Sequence, residues 1–137
     1  MKFITETFDK GLDSVHFETR RSAIQHPNAD KDHIDKALND KDWRIRVAAI
    51  ERKNADKNHI DKALNDEHWL VRETAVRHPN ATKEHMEKGL SDEDPNVRAS
   101  AILHPSASTK HIDKALNDEN PDVRSLARER LRTKFIK

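Results

Sequence analysis

The chain has no cysteine, only two glycines and no long apolar run among its 137 residues. Without cysteine there is no disulfide framework and no thiolate site for zinc or an iron–sulfur cluster. Without about 20 consecutive apolar residues, no segment can span a bilayer as a helix. The start, Met1-Lys2-Phe3-Ile4-Thr5-Glu6, lacks the apolar stretch of a secretory signal. A cytoplasmic chain with no membrane partner is therefore expected. An excess of one charge is also missing, since Lys plus Arg is 26 against 25 for Asp plus Glu. No global field draws the protein to nucleic acid or an anionic surface. Apolar residues are scarce too, at 34% against 37% charged. That ratio leaves a compact globule short of core, whereas units that bury a narrow seam on their neighbours need less.

What the chain has instead is repetition. The octet His33-Ile34-Asp35-Lys36-Ala37-Leu38-Asn39-Asp40 returns unchanged at residues 59–66 and 111–118. A worn copy, His85-Met86-Glu87-Lys88-Gly89-Leu90-Ser91-Asp92, stands between the last two. The copies start at 33, 59, 85 and 111, a period of 26 residues without an insertion. Repetition at about 20–50 residues marks a protein built of stacked units. One period before the first full copy, Phe8, Leu12, Arg20 and Ala23 answer to Ile34, Leu38, Arg46 and Ala49. The chain reads as a single domain, 1–137, of five units near residues 7–32, 33–58, 59–84, 85–110 and 111–137.

Each unit reads as two short helices. Asp30, Asp56, Thr82 and Ser108 can each accept from an orphan amide of a first turn, so they open the first helices. Ile34 and Leu38 then share one face, as do their equivalents in the other units. The column between them is Gly11, Ala37, Ala63, Gly89 and Ala115. Glycine inside a helix costs roughly 1 kcal/mol against alanine, so this column points to close helix approach. The second helices start at Phe17, Trp43, Trp69, Pro95 and Pro121. Asp42, Asp94 and Asn120 are suitable caps for them; His68 is not expected to be one. Ala23, Ala49, Ala75, Ala101 and Ala127 form a second small column. A last helix running toward the end, with Val123, Ala127, Leu131 and Phe135 on one stripe, is expected to cap the stack.

A paired-helix unit with Asp, then Val-Arg, then Ala resembles the HEAT-like repeat family. The turn His78-Pro79-Asn80-Ala81-Thr82 is similar to that of its leucine-rich-repeat-variant branch. The chain is also similar to short HEAT-like repeat proteins of unknown role from bacteriophages. The resemblance covers essentially the whole chain and implies an all-α fold, a right-handed α-solenoid. The iron–sulfur segment of some variant-repeat proteins is absent, as there is no cysteine.

Three polar columns invite a chemical reading. Arg20, Arg46, Arg72, Arg98 and Arg124 face Asp40, Asp66, Asp92 and Asp118, with Ser14 in the first unit. Charged groups this close to an apolar seam need partners, so a structural Asp–Arg ladder is expected rather than a phosphate-binding row. His33, His59, His85 and His111 form the second column. Equivalent positions on stacked helices lie about 8–10 Å apart, too far to share a zinc ion whose ligand nitrogens sit at about 2.0–2.1 Å. No metal or other cofactor is expected, and these histidines should bond to the preceding loop. Lys10, Lys36, Lys62, Lys88 and Lys114 each follow an acid, which reads as a solvated outer face. His26, His78 and His104 fall where a donor can meet free carbonyls at a helix end. No nucleophile–base pair, phosphate loop or carboxylate dyad has a motif behind it, so no catalytic residue and no enzyme activity are expected.

Variation gathers on one face of the second helices. Trp43, Arg44, Val47, Trp69 and Leu70 lie on it, followed by Glu73, Arg77 and Leu103. Tryptophan and arginine are enriched at interface hot spots. A monomeric protein-binding module using this face is the expected function, with modulation or inhibition of a host protein as the role implied by the phage resemblance. The alternative is a nucleic-acid binder using a concave groove and the basic end at Arg128, Arg130, Arg132, Lys134 and Lys137.

Overall fold

The structure, a computed structural model, describes residues 10–135, the last of them by its backbone alone. The expected start of the first unit near Thr7, its Phe8 and the side chain of Phe135 lie outside the described residues. Those residues are all-helical, with no strand. After a helical turn at residues 10–12 come α1 (Phe17–Gln25), α2 (Lys31–Ala37), α3 (Trp43–Ile50), α4 (Lys57–Ala63) and α5 (Trp69–Arg77). They are followed by α6 (Lys83–Leu90), α7 (Pro95–Leu103), α8 (Thr109–Ala115) and α9 (Pro121–Phe135). No helix of the described residues is long and apolar enough to cross a membrane.

Even-numbered helices lead each 26-residue period and odd-numbered helices trail it. The leading helices have seven or eight residues, below the roughly 12–15 that hold an isolated helix in water. Caps and packing must therefore hold them. Asp30 and Asp56 accept from the backbone N–H of His33 and His59, and Ser108 Oγ accepts from that of His111. Thr82 caps in the same position with His85 as the box partner. Burial then fixes orientation: Ile34, Ile60, Met86 and Ile112 are fully shielded from water. On the trailing helices Ile45, Val71, Val97 and Val123 do the same, as do Ile24, Ile50, Val76 and Ile102.

Each trailing helix lies against the next, α1 on α3, α3 on α5, α5 on α7 and α7 on α9. Successive leading helices touch less, α6 and α8 the most among them. The core is thus a seam running through the molecule. The small columns are where helices come closest. A Cβ placed on Gly89 would stand 3.0 Å from Val76 Cγ2 and 3.1 Å from Ala101 Cβ. On Gly11 it would stand 2.8 Å from Ala23 Cβ. At these two positions even an alanine Cβ would require a neighbour to shift.

His68 departs from expectation. Its Nδ1 accepts the Leu70 N–H at 3.1 Å, so an imidazole caps α5 where aspartate caps α3 and α7. A neutral ring nitrogen is an acceptor like a carboxylate oxygen.

Candidate functional site

The repeated polar residues bond between periods. Arg46 Nε donates to Asp66 Oδ2 at 2.7 Å and its Nη2 to Oδ1 at 3.1 Å. Arg20–Asp40, Arg72–Asp92 and Arg98–Asp118 repeat this fork. The third nitrogen of each ladder arginine donates to the backbone carbonyl six residues earlier, as Arg46 Nη1 does to Asp40 O at 2.8 Å. Arg46, Arg72 and Arg98 are held further above their ordinary pKa by the hydrogen bond each donates to its partner aspartate, against the pull of burial. The forks of Arg20, Arg46, Arg72 and Arg98 are each closed by an aspartate and a backbone carbonyl, so none of these four presents a free guanidinium to phosphate.

The histidines of the leading helices have two jobs. Nδ1 of His85 accepts the Thr82 N–H at 2.8 Å, completing the capping box. A nitrogen that accepts carries no proton, so Nε2 holds it and donates to Asp61 Oδ1 at 2.6 Å, in the preceding period. His59 reaches Asp35 at 2.9 Å and His111 reaches Glu87 at 2.8 Å in the same way. At the other end of the unit, His78 Nε2 donates to Arg52 O at 2.7 Å and His104 Nε2 to His78 O at 2.8 Å. Asn54, Asn80 and Ser106 add side-chain bonds to the carbonyls of Ala29, Ala55 and Ala81. The lysine column is exposed as expected, yet it also reaches back: Lys62 bonds Asn39 Oδ1 at 2.5 Å, Lys88 bonds Asn65, and Lys36 pairs with Asp13 at 2.8 Å. Among the described residues no group of three or more His, Cys, Asp or Glu is placed to hold a metal ion.

The trailing face is what remains. Arg44 and Arg77 are exposed, and Leu103 is 53% exposed. Val47, Leu70 and Glu73 are half-buried. Shallow grooves run between successive trailing helices. One, about 300 Å³, includes Phe17, Arg21, Trp43, Arg44, Val47 and Glu51. A second, about 190 Å³, joins Glu51 and Thr74 to Arg77 and Pro79. A third, also about 190 Å³, is formed by Arg77, Ser100, Leu103, His104 and Pro105. These grooves take in Trp43, Arg44, Val47, Arg77 and Leu103 of the expected face, while Trp69, Leu70 and Glu73 line none of the three, and not all of the face is open. Trp43 and Trp69 are half-buried against the core. The ring of Trp43 is stacked on His68 at 4.2 Å between centroids and 12° between planes. Arg44 lies 4.0 Å over the ring of Phe17, while its guanidinium holds Asp42. That hydrogen bond takes the Asp42 carboxyl down to about 2. Glu73 accepts from Ser100 Oγ at 3.1 Å and so ties α5 to α7.

Two of these contacts were within reach of the sequence. Phe17 and Arg44, or Trp43 and His68, are one period apart give or take a residue, which is where neighbours on stacked helices meet. No family model and no curated protein matches this chain.

Proposed function

We propose that this chain is a right-handed α-solenoid of five HEAT-like units that binds another protein, without catalysis, along the face of its trailing helices. One observation carries the reading. The polar residues that repeat from unit to unit are spent on bonds between units, whereas the residues that vary line the grooves of one face. A scaffold that holds its frame constant and varies one strip is built to recognise. The closer approach of successive trailing helices supports their lying on the inside of the curve. Leu103, Val47 and Leu70 supply apolar surface there, and Arg21, Arg44 and Arg77 sit among them. The resemblance to bacteriophage HEAT-like proteins suggests a host protein as the partner and occupancy as the means of modulating it.

The test is an affinity pull-down from host lysate, with and without nuclease, using two control variants. Trp69→Ala with Leu70→Ala opens the apolar part of the face. Leu103→Arg with Arg77→Glu changes only exposed side chains and leaves the core alone. A stoichiometric protein that survives nuclease and is lost with both variants supports the reading. Capture that is indifferent to both variants refutes the face. Recovery of nucleic acid that weakens steeply with salt refutes the protein-binding reading itself.

A further inference from the structure

The arginine–aspartate ladder ties the units near the start of each trailing helix, and a second tie lies at the other end. The helices α5 and α7 stop at His78 and His104, both buried. Each ring is used twice. His78 Nδ1 accepts the Asn80 N–H at 3.0 Å, and its Nε2 donates to Arg52 O of the preceding period at 2.7 Å. His104 Nδ1 accepts the Ser106 N–H at 3.0 Å, and its Nε2 donates to His78 O at 2.8 Å. A ring nitrogen that accepts an amide carries no proton, so both imidazoles are fixed as the neutral Nε2–H tautomer. The preceding unit does the same task without an imidazole. Arg52 stands in the column there, and its Nη1 donates to Gln25 O at 2.9 Å.

The charges around the two rings are mostly of one sign. Arg77 lines a groove with each of them, and Glu51, at the end of α3, shares one with His78. Arg52 carries the carbonyl that His78 bonds. Lys134 of α9 reaches Ala107 O at 3.5 Å, in the turn after His104. Among the described residues no carboxylate pairs with either ring. The histidines of the leading helices differ: His59, His85 and His111 hold Asp35, Asp61 and Glu87 through Nε2. A positive charge added there is answered at once by a carboxylate.

We propose that His78 and His104 form an acid-released latch: on protonation the ends of α5 and α7 come away from the preceding units, while the arginine–aspartate ladder holds the opposite edge. Imidazole is the side chain whose charge changes between about pH 5 and 8. The new proton can go only on Nδ1, against the N–H of Asn80 or Ser106. Two donors then meet, and the turn bond is lost. The ring cannot turn Nδ1 aside and keep Nε2 on the carbonyl, because both nitrogens belong to one rigid plane. Relief of the turn therefore breaks the bond to the preceding unit. Acid favours the open form, since a ring that is neutral in the closed form must charge. The ladder keeps its charge over the same range, because carboxylates titrate near about pH 4.

Amide hydrogen exchange on the full chain, each rate normalised for the intrinsic effect of pH, reads the latch. The reporters are the N–H groups of Asn80 and Ser106, with those of Ala81 and Ala107, which bond His78 O and His104 O at 3.0 Å. Their protection should fall at least about tenfold between about pH 7.5 and 5.5. The Ala55 N–H, which bonds Arg52 O at 3.1 Å, should change by less than about twofold. His78→Arg with His104→Arg installs the residue that the second unit carries, and should preserve protection at the Ala81 and Ala107 amides in acid. Nitrogen chemical shifts of the unaltered protein give a check that needs no variant: both rings should be the neutral Nε2–H tautomer at about pH 7.5. The proposal is overturned if either ring is charged or carries its proton on Nδ1 there. It is equally overturned if the four amides keep their protection in acid, if Ala55 loses as much as they do, or if the folded double variant opens like the parent. All of this is measured on the protein alone, so failure here is distinguishable from failure of the trailing-face reading.

Discussion

Breaking one rung of the ladder should show how far the units depend on each other. Arg72 and Asp92 are the pair to choose, in the middle of the chain, with both side chains only 10% exposed. Asp92→Asn keeps the bond from the Asp94 N–H, at 2.9 Å in the parent. It replaces a charged fork, at 2.8 and 3.1 Å, with a single neutral acceptor. Hydrogen bonds to charged groups contribute roughly 1.5–3 kcal/mol each. Arg72 retains the carbonyls of Asp66 and Glu67, and Glu93 stands at 3.8 Å with 90% exposure. The loss should therefore fall at about 2–3 kcal/mol, below the roughly 3–5 of a fully enclosed broken pair. At roughly 4 °C per kcal/mol for a domain of this size, the melting temperature drops by about 10 °C. Arg72→Leu should cost about 3 kcal/mol, since it strands the same carboxylate and two carbonyls. The double variant should cost little more than either single change, giving a coupling energy of about 2 kcal/mol. Urea denaturation followed by circular dichroism measures all four corners of the cycle. Hydrogen exchange should rise first at the contact of α5 with α7. A coupling energy under about 0.5 kcal/mol would mean independent sites, and the ladder would then not be what joins the units.

Three further outcomes follow from the geometry. Gly89→Leu should destabilise by about 3 kcal/mol in thermal denaturation, since Val76 and Ala101 already stand at 3.0 and 3.1 Å from a Cβ and overpacking costs roughly 1–3 kcal/mol before the backbone shifts. His85→Ala removes both a helix cap and the bond to Asp61, and should lower stability by about 2 kcal/mol, with exchange rising at the start of α6. Acid should unfold the protein through its carboxylates. Burial alone would raise the Asp118 carboxyl, but the Arg98 guanidinium and the Asn120 N–H outweigh it and hold it below its ordinary value; Asp42 is taken to about 2 by Arg44. Groups lowered by folding add stability that is complete above the unfolded value of about 4 and is lost as pH falls through the folded value. The melting temperature should thus fall between about pH 4 and pH 2, and Asp118→Asn should make that fall shallower.

Much of the helical order was legible because it is local or periodic. Asp30, Asp56, Thr82 and Ser108 announce helix starts by their own side chains. The alanine and glycine column announces close packing by the residues it refuses. Arginine and aspartate columns that recur together from Asp40 to Arg124 announce a ladder. His68 was misread because capping was judged by residue type, while a ring nitrogen accepts as well as an oxygen. The trailing face was legible only as variation, and variation does not say which side chains are open. Glu73 looks free in the sequence, yet Ser100 holds it from the next period. Trp43 looks like a hot spot, yet His68 covers one of its faces.

By itself, the sequence determined what recurs: the period, the caps, the small columns and the partners of the buried charges, since each depends on spacing along the chain. Only tertiary structure decided where each polar side chain ends its reach. His85 meets Asp61, Lys62 meets Asn39 and Arg52 meets the Gln25 carbonyl across distances set by how one helix pair settles on the previous one. That settling follows from side-chain volume in the seam, not from any single residue. It is what spends the repeated polar groups between units and leaves Arg44, Arg77 and Leu103 facing water on the trailing side.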